Sequence, residues 1–303
     1  MGSDGEWLMA HQVALGEPLR GRLKLVRMLG MAIEECLAPI ERPVPTMPLL
    51  LCLREHDRPG RLTGLDQSLV TELETTVGVA FDVARSSLIP QGRPSVLLAA
   101  AEACRLIREG AVENVLIGAV DSLLVNATLT ALQTDGRLLR PRNSDAFIPG
   151  EAAGALLLRR HSSRVGSLIC EGFGVGVEVS TIASDKPLRA NGLTTAIQSA
   201  LADAGCAMHD VDFRITDNSG EQYYFKESAL ALSRTLRRRK EAFEIWHPAD
   251  CVGEVGAAAG AVAMAVALEA CRKNYSPGRC ILIHAGTDAG QRVAGVFRFV
   301  EGF

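Results

Sequence analysis

The 303-residue chain has a formal net charge of −3 and is 48% hydrophobic, so it is long enough for a large core in one big domain or two fused halves. Mixed charge along the sequence excludes a nucleic-acid tract: the one basic run, Arg237-Arg238-Arg239-Lys240, reads as the end of a helix, where cations complement the dipole. The polar start MGSDGEWLMAHQ lacks an apolar signal region, and the best membrane candidate, Val255 to Ala270, falls short of the roughly 20 residues a span needs, so a cytoplasmic protein is expected.

In chain order, Leu19 to Leu37 has helical spacing of apolar residues and stops before Pro39. Met47 to Leu53 (MPLLLCL) is a continuous apolar run of strand length. Leu65 to Thr76 reads as helix and Val77 to Val83 as strand. Ser95 to Arg108 (SVLLAAAEACRLIR) is a strong helix ended by Gly110, with Ser95 as its N-cap. Strands follow at Val115 to Val120 and at Ala153 to Leu158, the second after the turn Pro149-Gly150. The second half repeats the rhythm: strand Leu168 to Val177, helix Leu193 to Ala204, strand Val211 to Thr216, helix Tyr223 to Arg238. A short strand at Phe243 to Trp246, a helix from Gly256 to Arg272, and closing strands at Cys280 to His284 and Val293 to Phe299 complete it.

Continuous apolar strands separated by helices argue for an α/β protein with strands buried on both faces. The repeated order predicts an internal duplication, with halves at 1–160 and 161–303. The eight cysteines, Cys36, Cys52, Cys104, Cys170, Cys206, Cys251, Cys271 and Cys280, form no CxxC pair and most lie in apolar runs. They read as reduced thiols rather than disulfides or a metal site.

Several stretches together resemble the β-ketoacyl synthase branch of the thiolase-like superfamily. DAFIPGEAAGALLL (Asp145 to Leu158) is similar to that family's DGFvxGEGAGvLvL turn and strand. Arg105 to Asp121 is similar to the helix-to-strand step after its nucleophile, and Ile169 to Gly205 to the opening of its C-terminal half. GEVGAAAGAVAMAVAL (Gly253 to Leu268) resembles GHxxGAAGaxexxxaxL, and AGTDAGQRVAGVFRF (Ala285 to Phe299) the closing GFGGxNaxlvl. The resemblance implies a thiolase-like fold of two duplicated α/β halves in a layered α-β-α-β-α architecture. The family opens with a βα unit on a Gly-rich strand. None is read before Leu19, so that unit is expected to be missing or diverged.

The resemblance also implies where chemistry should sit. Family enzymes use a Cys nucleophile on a strand-to-helix turn, two His, and in some members a Lys. By string similarity, Asp82 to Leu88 looks like the nucleophile motif, which puts Arg85 at the Cys. The register of the helix from Ser95 to Gly110 instead puts Arg93 there, and this frame is preferred. Neither frame offers Cys, and Cys104 reads as core. Asn218, after the strand ending at Thr216, takes the first His position, and Asn cannot shuttle a proton near neutral pH. Glu254 takes the second His position, where a carboxylate would repel a malonyl carboxylate and a developing enolate. Ala249 falls at the Lys position and Asp288 at the gatekeeping Phe. Among other groups, Ser95 and His284 are weak alternative site residues, with His247 beside them. Arg93 and Glu254 are expected to face each other.

The expectation is therefore a catalytically inactive synthase-like protein that acts as a binding or assembly partner, as chain-length factors do in polyketide systems. By analogy alone, short divergent synthase-like proteins are also associated with type VI secretion, as accessory proteins. Two rivals stand beside it: an acyltransferase acting on acyl-CoA or acyl-carrier protein with Ser95 as nucleophile, and an acyl pocket without turnover. The expected partners are a second copy, a related synthase-like chain, an acyl-carrier protein or a secretion-system component. The strand Val77 to Val83 is the expected dimer edge. No cofactor, metal or nucleic acid is expected.

Overall fold

Apolar runs become buried strands, and the amphipathic stretches become helices laid against them. The computed structural model describes residues 7–62, 64–161 and 166–302. In chain order these form α1 (Gly21–Leu37), β1 (Leu49–Cys52), α2 (Leu65–Val77), β2 (Ser87–Ile89), α3 (Ser95–Arg108), β3 (Asn114–Ser122), α4 (Asn126–Thr134) and β4 (Glu151–Arg159). There follow β5 (Ser167–Val177), α5 (Asn191–Asp203), β6 (Phe213–Thr216), α6 (Gln222–Thr235), β7 (Ile245–Trp246) and α7 (Ala249–Val252). A 3-10 turn at Gly256–Ala258 leads into α8 (Ala259–Arg272), and β8 (Cys280–Gly286) and β9 (Gln291–Val300) close the chain. None of the described helices is long and apolar enough to cross a membrane.

The chain folds as two compact units. The first contains the described residues up to Arg160 together with Val252–Ala261, and the second contains His161–Cys251 and the residues from Val262 onward. In the first unit the sheet order is β2-β1-β3-β4. β1 runs parallel to β2 and β3, while β4 pairs antiparallel with β3 along its whole length, from Asn114↔Arg159 to Ser122↔Glu151. Every residue of β1 is buried, which is why its sequence is uninterrupted Leu and Cys rather than alternating. Leu29, Ile33 and Leu37 of α1, spaced one helical turn apart, pack with Leu69 and Leu73 of α2 and with Leu49 and Leu51 of β1.

In the second unit the order is β5-β9-β8-β6-β7. β6 is parallel to β7 and β8, β9 is antiparallel to β8, and β5 is antiparallel to β9. Reading β7-β6-β8-β9 against β2-β1-β3-β4 gives the same order with the same strand directions. The two halves therefore share one plan, and the second adds β5 at its edge. On β5 the alternate residues Gly172, Gly174 and Gly176 form one face. A Cβ at any of them would run into the backbone of α5, at Ala200, Ala196 and Gly192 respectively. The motif GFGVG is thus a bare track on which the helix backbone lies directly.

Some sequence expectations need correction. Val77 to Val83 is not a strand. α2 runs to Val77, Gly78 closes it at φ +66, and the following segment makes a single bridge, Met47↔Phe81. Val79 and Phe81 are apolar because they fill the core, and the strand entering α3 is β2. The basic run does not end a helix: α6 stops at Thr235, and Leu236 is extended. Lys240 instead donates to the carbonyl of Val211 and sits over the Phe243 ring. Ser95 is not an N-cap. Pro94 holds that position, and the Ser95 hydroxyl accepts from the N–H of Gln91 at 3.1 Å. α4 was not foreseen, because its Asn and Thr residues are weak helix formers. Thr128 anchors it by donating to the Pro59 carbonyl at 2.6 Å.

Candidate active-site positions

The turn between β2 and α3 is built backbone first. Gly92 donates to the Leu53 carbonyl at 3.1 Å, and Ser95 N–H donates to the Gly92 carbonyl at 2.9 Å. Gly92 has φ +62, and a Cβ there would collide with the Glu55 carboxylate, so only glycine fits. Arg93 follows, buried, with Nη1 3.5 Å from Oε2 of Glu254. Arg85, the alternative position, lies in an exposed turn ahead of β2 and pairs with Asp82 at 2.7 Å.

Glu254 is fixed by the stretch leading into β4. Gly150 N–H donates to its carbonyl at 2.8 Å, and its own N–H donates to Ile148 at 2.8 Å. A Cβ on Gly150 would meet the Val252 carbonyl, so the turn before β4 is tight because a second chain segment lies against it. Oε1 of Glu254 accepts from Gly256 N–H at 2.8 Å, and Oδ2 of Asp121 accepts from Ala257 N–H at 2.9 Å. Two carboxylates of the chain itself thus fill the positive start of the 3-10 turn and helix, a position that attracts negative charge.

Arginines gather round them. Arg58 bonds Asp121 at 2.7 Å and pairs with Glu55, and Arg54 lies 3.3 Å from Asp121. Burial works against the Arg58 cation, but Asp121 and Glu55 outweigh it and raise its pKa above the usual value. For Arg54 burial wins and lowers the pKa. Sequence reasoning missed Arg54, Arg58 and Asp121. The signal was present, since each lies at or just beyond the carboxyl end of a parallel strand, β1 or β3, where α/β sheets present their ligands.

This arrangement holds charge but lacks the means of acyl transfer at Arg93 and Glu254. A guanidinium has no free lone pair to attack a thioester, and a carboxylate paired with it is no donor to an enolate oxygen. Ser95 is fully buried and its oxygen is engaged by the Gln91 N–H.

The remaining positions belong to the second unit. Asn218 lies just past β6, buried. Its Oδ1 accepts from Thr216 Oγ1 at 3.1 Å, and its Nδ2 donates to Ser228 of α6 at 3.2 Å. It therefore ties the loop to the sheet and to α6. Asp288 is exposed in the β8–β9 turn and accepts from the Tyr224 hydroxyl. Ala249 is the first residue of α7 and brings no amine. His284 stands beside Thr216 in register on β8. Burial pushes its pKa down to about 3, helped by the nearby cationic or cation-forming side chains of Arg214, His247 and Arg292, so it is a neutral imidazole at ordinary pH. The structure thus brings Arg93 and Glu254 together in the first unit, while Asn218, Ala249, His284 and Asp288 belong to the second. Among the described residues no group of three His, Cys, Asp or Glu side chains is placed to hold a metal ion.

Residues 94–164 match the family model of the β-ketoacyl synthase N-terminal domain. No curated protein sequence matches the chain. Among solved structures it is similar to the oxazolomycin ketosynthase domain OzmH KS7 of Streptomyces albus JA3453, with a TM-score of 0.70 and 19% identity over 92% of this chain. It spans 60% of that domain's length. It is also similar to a chain of a type II PKS acyl-carrier protein in complex with its ketosynthase bound to the hexaketide, with TM-score 0.77, 17% identity, and 96% of this chain against 88% of that one. A third likeness is to a chain of the complex of the ketosynthase ApeO with its chain length factor ApeC from Xenorhabdus doucetiae, with TM-score 0.66, 13% identity, and 99% of this chain against 88% of that one.

Proposed function

Starting from a chain with the thiolase-like fold of the β-ketoacyl synthases, we propose that it is a catalytically inert synthase-like subunit whose work is to bind or assemble with another protein. The observation that carries this reading is the pair Arg93 and Glu254, both buried, 3.5 Å apart. These are the residues that the resemblance assigns to the nucleophile and the second His. A buried charge pair is strongly destabilising to break, so these side chains are held as structure. Asn218 at the first His position fits the same reading, because its amide is consumed by Thr216 and Ser228. The likeness to a chain of a ketosynthase–chain length factor complex supports a synthase-like chain as the partner.

Two experiments test the two halves of this proposal. Incubation with acyl-CoA and with malonyl-loaded acyl-carrier protein, followed by intact mass measurement and assay of released carbon dioxide, is expected to give no adduct and no decarboxylation. Co-expression with a ketosynthase chain, followed by analytical ultracentrifugation, is expected to give a mixed complex. If the chain sediments alone and unaltered by any such partner, the assembly half fails even if the inert half stands.

A further inference from the structure

Arg214 is a buried cation without a carboxylate. It lies on β6 at 5% exposure, its Nε has no hydrogen-bond partner, and no ion pair to it is present among the described residues. Its guanidinium rests only on the Phe243 ring, 4.8 Å from the centroid. Burial without a compensating acid lowers its pKa to about 10. Removing a guanidinium from water without an anion is costly.

Three more buried polar atoms without partners lie on or just past the strands β6, β7 and β8. They are Nε2 of His284, Nε2 of His247 and Oγ of Ser219. The register brings the imidazoles close. Arg214 pairs with Leu282 of β8, and Thr216 with His284, two residues further on. Parallel strands in register present such residues on one face, so Arg214 and His284 share a face. His247 directly follows Trp246, the partner of Ile215 on β7, and its ring lies tilted against Phe225 of α6, with centroids 4.9 Å apart. The three basic groups are near enough to depress one another: Arg214 lowers the pKa of both histidines, and His247 lowers that of His284. Of the other cations nearby, Arg292 is paired with Glu227 at 2.9 Å, and Lys240, over the same Phe243 ring, donates to the Val211 carbonyl. Asp217 and Asp250 bear on His247, but neither reaches Arg214 or His284. His284 lies toward the carboxyl end of β8, and His247 and Ser219 lie just past the carboxyl ends of β7 and β6, where open α/β sheets take their ligands, while Arg214 lies two residues back on β6.

We propose that Arg214, His284, His247 and Ser219 form a binding site for a carboxylate monoanion. One guanidinium supplies one positive charge and a two-pronged fork, which matches a carboxylate in both charge and shape. The neutral imidazoles and the hydroxyl complete its hydrogen bonds as donors. The site is independent of the inert Arg93 and Glu254 positions and stands or falls apart from them. It gives the second unit a ligand of its own.

The test uses the intact chain with sodium acetate as probe, against sodium chloride and sodium phosphate at matched ionic strength. Acetate is expected to raise the unfolding midpoint saturably and to shift the ¹⁵N resonances of His284 along the same curve. Arg214→Leu is expected to fold and to lose both responses. Arg214→Lys, which keeps the charge without the fork and serves if Arg214→Leu fails to fold, is expected to weaken acetate binding by about tenfold. A wild-type chain indifferent to acetate overturns the proposal. So does a response to phosphate in place of acetate, or an acetate response that survives in Arg214→Leu.

Discussion

Glu254 binds Ile148 and Gly150 through its backbone, accepts Gly256 N–H through one oxygen and faces Arg93 with the other. Removing it takes one carboxylate partner from the buried Arg93 and leaves the Gly256 N–H without that acceptor, so Glu254→Ala should cost about 2 kcal/mol of unfolding free energy in urea. The double variant Arg93→Met with Glu254→Leu should cost clearly less than the sum of its single variants. Strict additivity would mean that the two charges do not depend on each other. His284 gives a pH prediction. Its folded pKa lies near 3, below the roughly 6.5 of an unfolded histidine. Between these values the unfolded chain binds the extra proton, so stability is full above pH 6.5 and falls as the pH drops toward 3. In His284→Gln the stability curve should be flatter across that window, by up to about 1.4 kcal/mol per pH unit. Parallel curves for the two proteins would show that His284 is not held neutral.

The packing of α5 on β5 rests on the absence of side chains at Gly172, Gly174 and Gly176. Gly174→Val puts branched carbon into the backbone of α5, and the helix must lift from the sheet. A loss of more than about 3 kcal/mol, or failure to fold, is expected by circular dichroism with urea, whereas Val175→Thr, on the exposed side of the same strand, should be near neutral. Here the sequence was readable, since an apolar run studded with alternate glycines already marks a strand under close cover. α3 was also legible to the residue, because its apolar face is uninterrupted and Gly110 follows it. Two of the errors share a cause: apolar content reports burial, not backbone form. Val79 and Phe81 are core residues in a connecting segment, and α4 buries so little that its sequence lacks a helical stripe. Arg93 and Glu254 were singled out through the resemblance, and their side chains do meet, at 3.5 Å. Arg54, Arg58 and Asp121 carried only the weaker signal of charges at or past strand ends, which reads equally well as solvated surface until the fold brings them together.

The whole chain repeats one sheet plan twice, with strand order and direction shared between β2-β1-β3-β4 and β7-β6-β8-β9. On the proposed reading, the positions that the resemblance assigns to chemistry hold Arg93, Asn218, Glu254 and Ala249 in place of Cys, His, His and Lys. If the proposed inert reading holds, the protein works through its shape and surface rather than turnover, and a mixed complex with a synthase-like chain is the behaviour it predicts. The inert half of that account is tested most directly by intact mass spectrometry of the purified chain after incubation with acyl-CoA and malonyl-loaded acyl-carrier protein, with released carbon dioxide counted in parallel. The account predicts an unchanged mass and no carbon dioxide above a protein-free control. A stable acyl adduct, on Ser95 or any other residue, or measurable decarboxylation would contradict it.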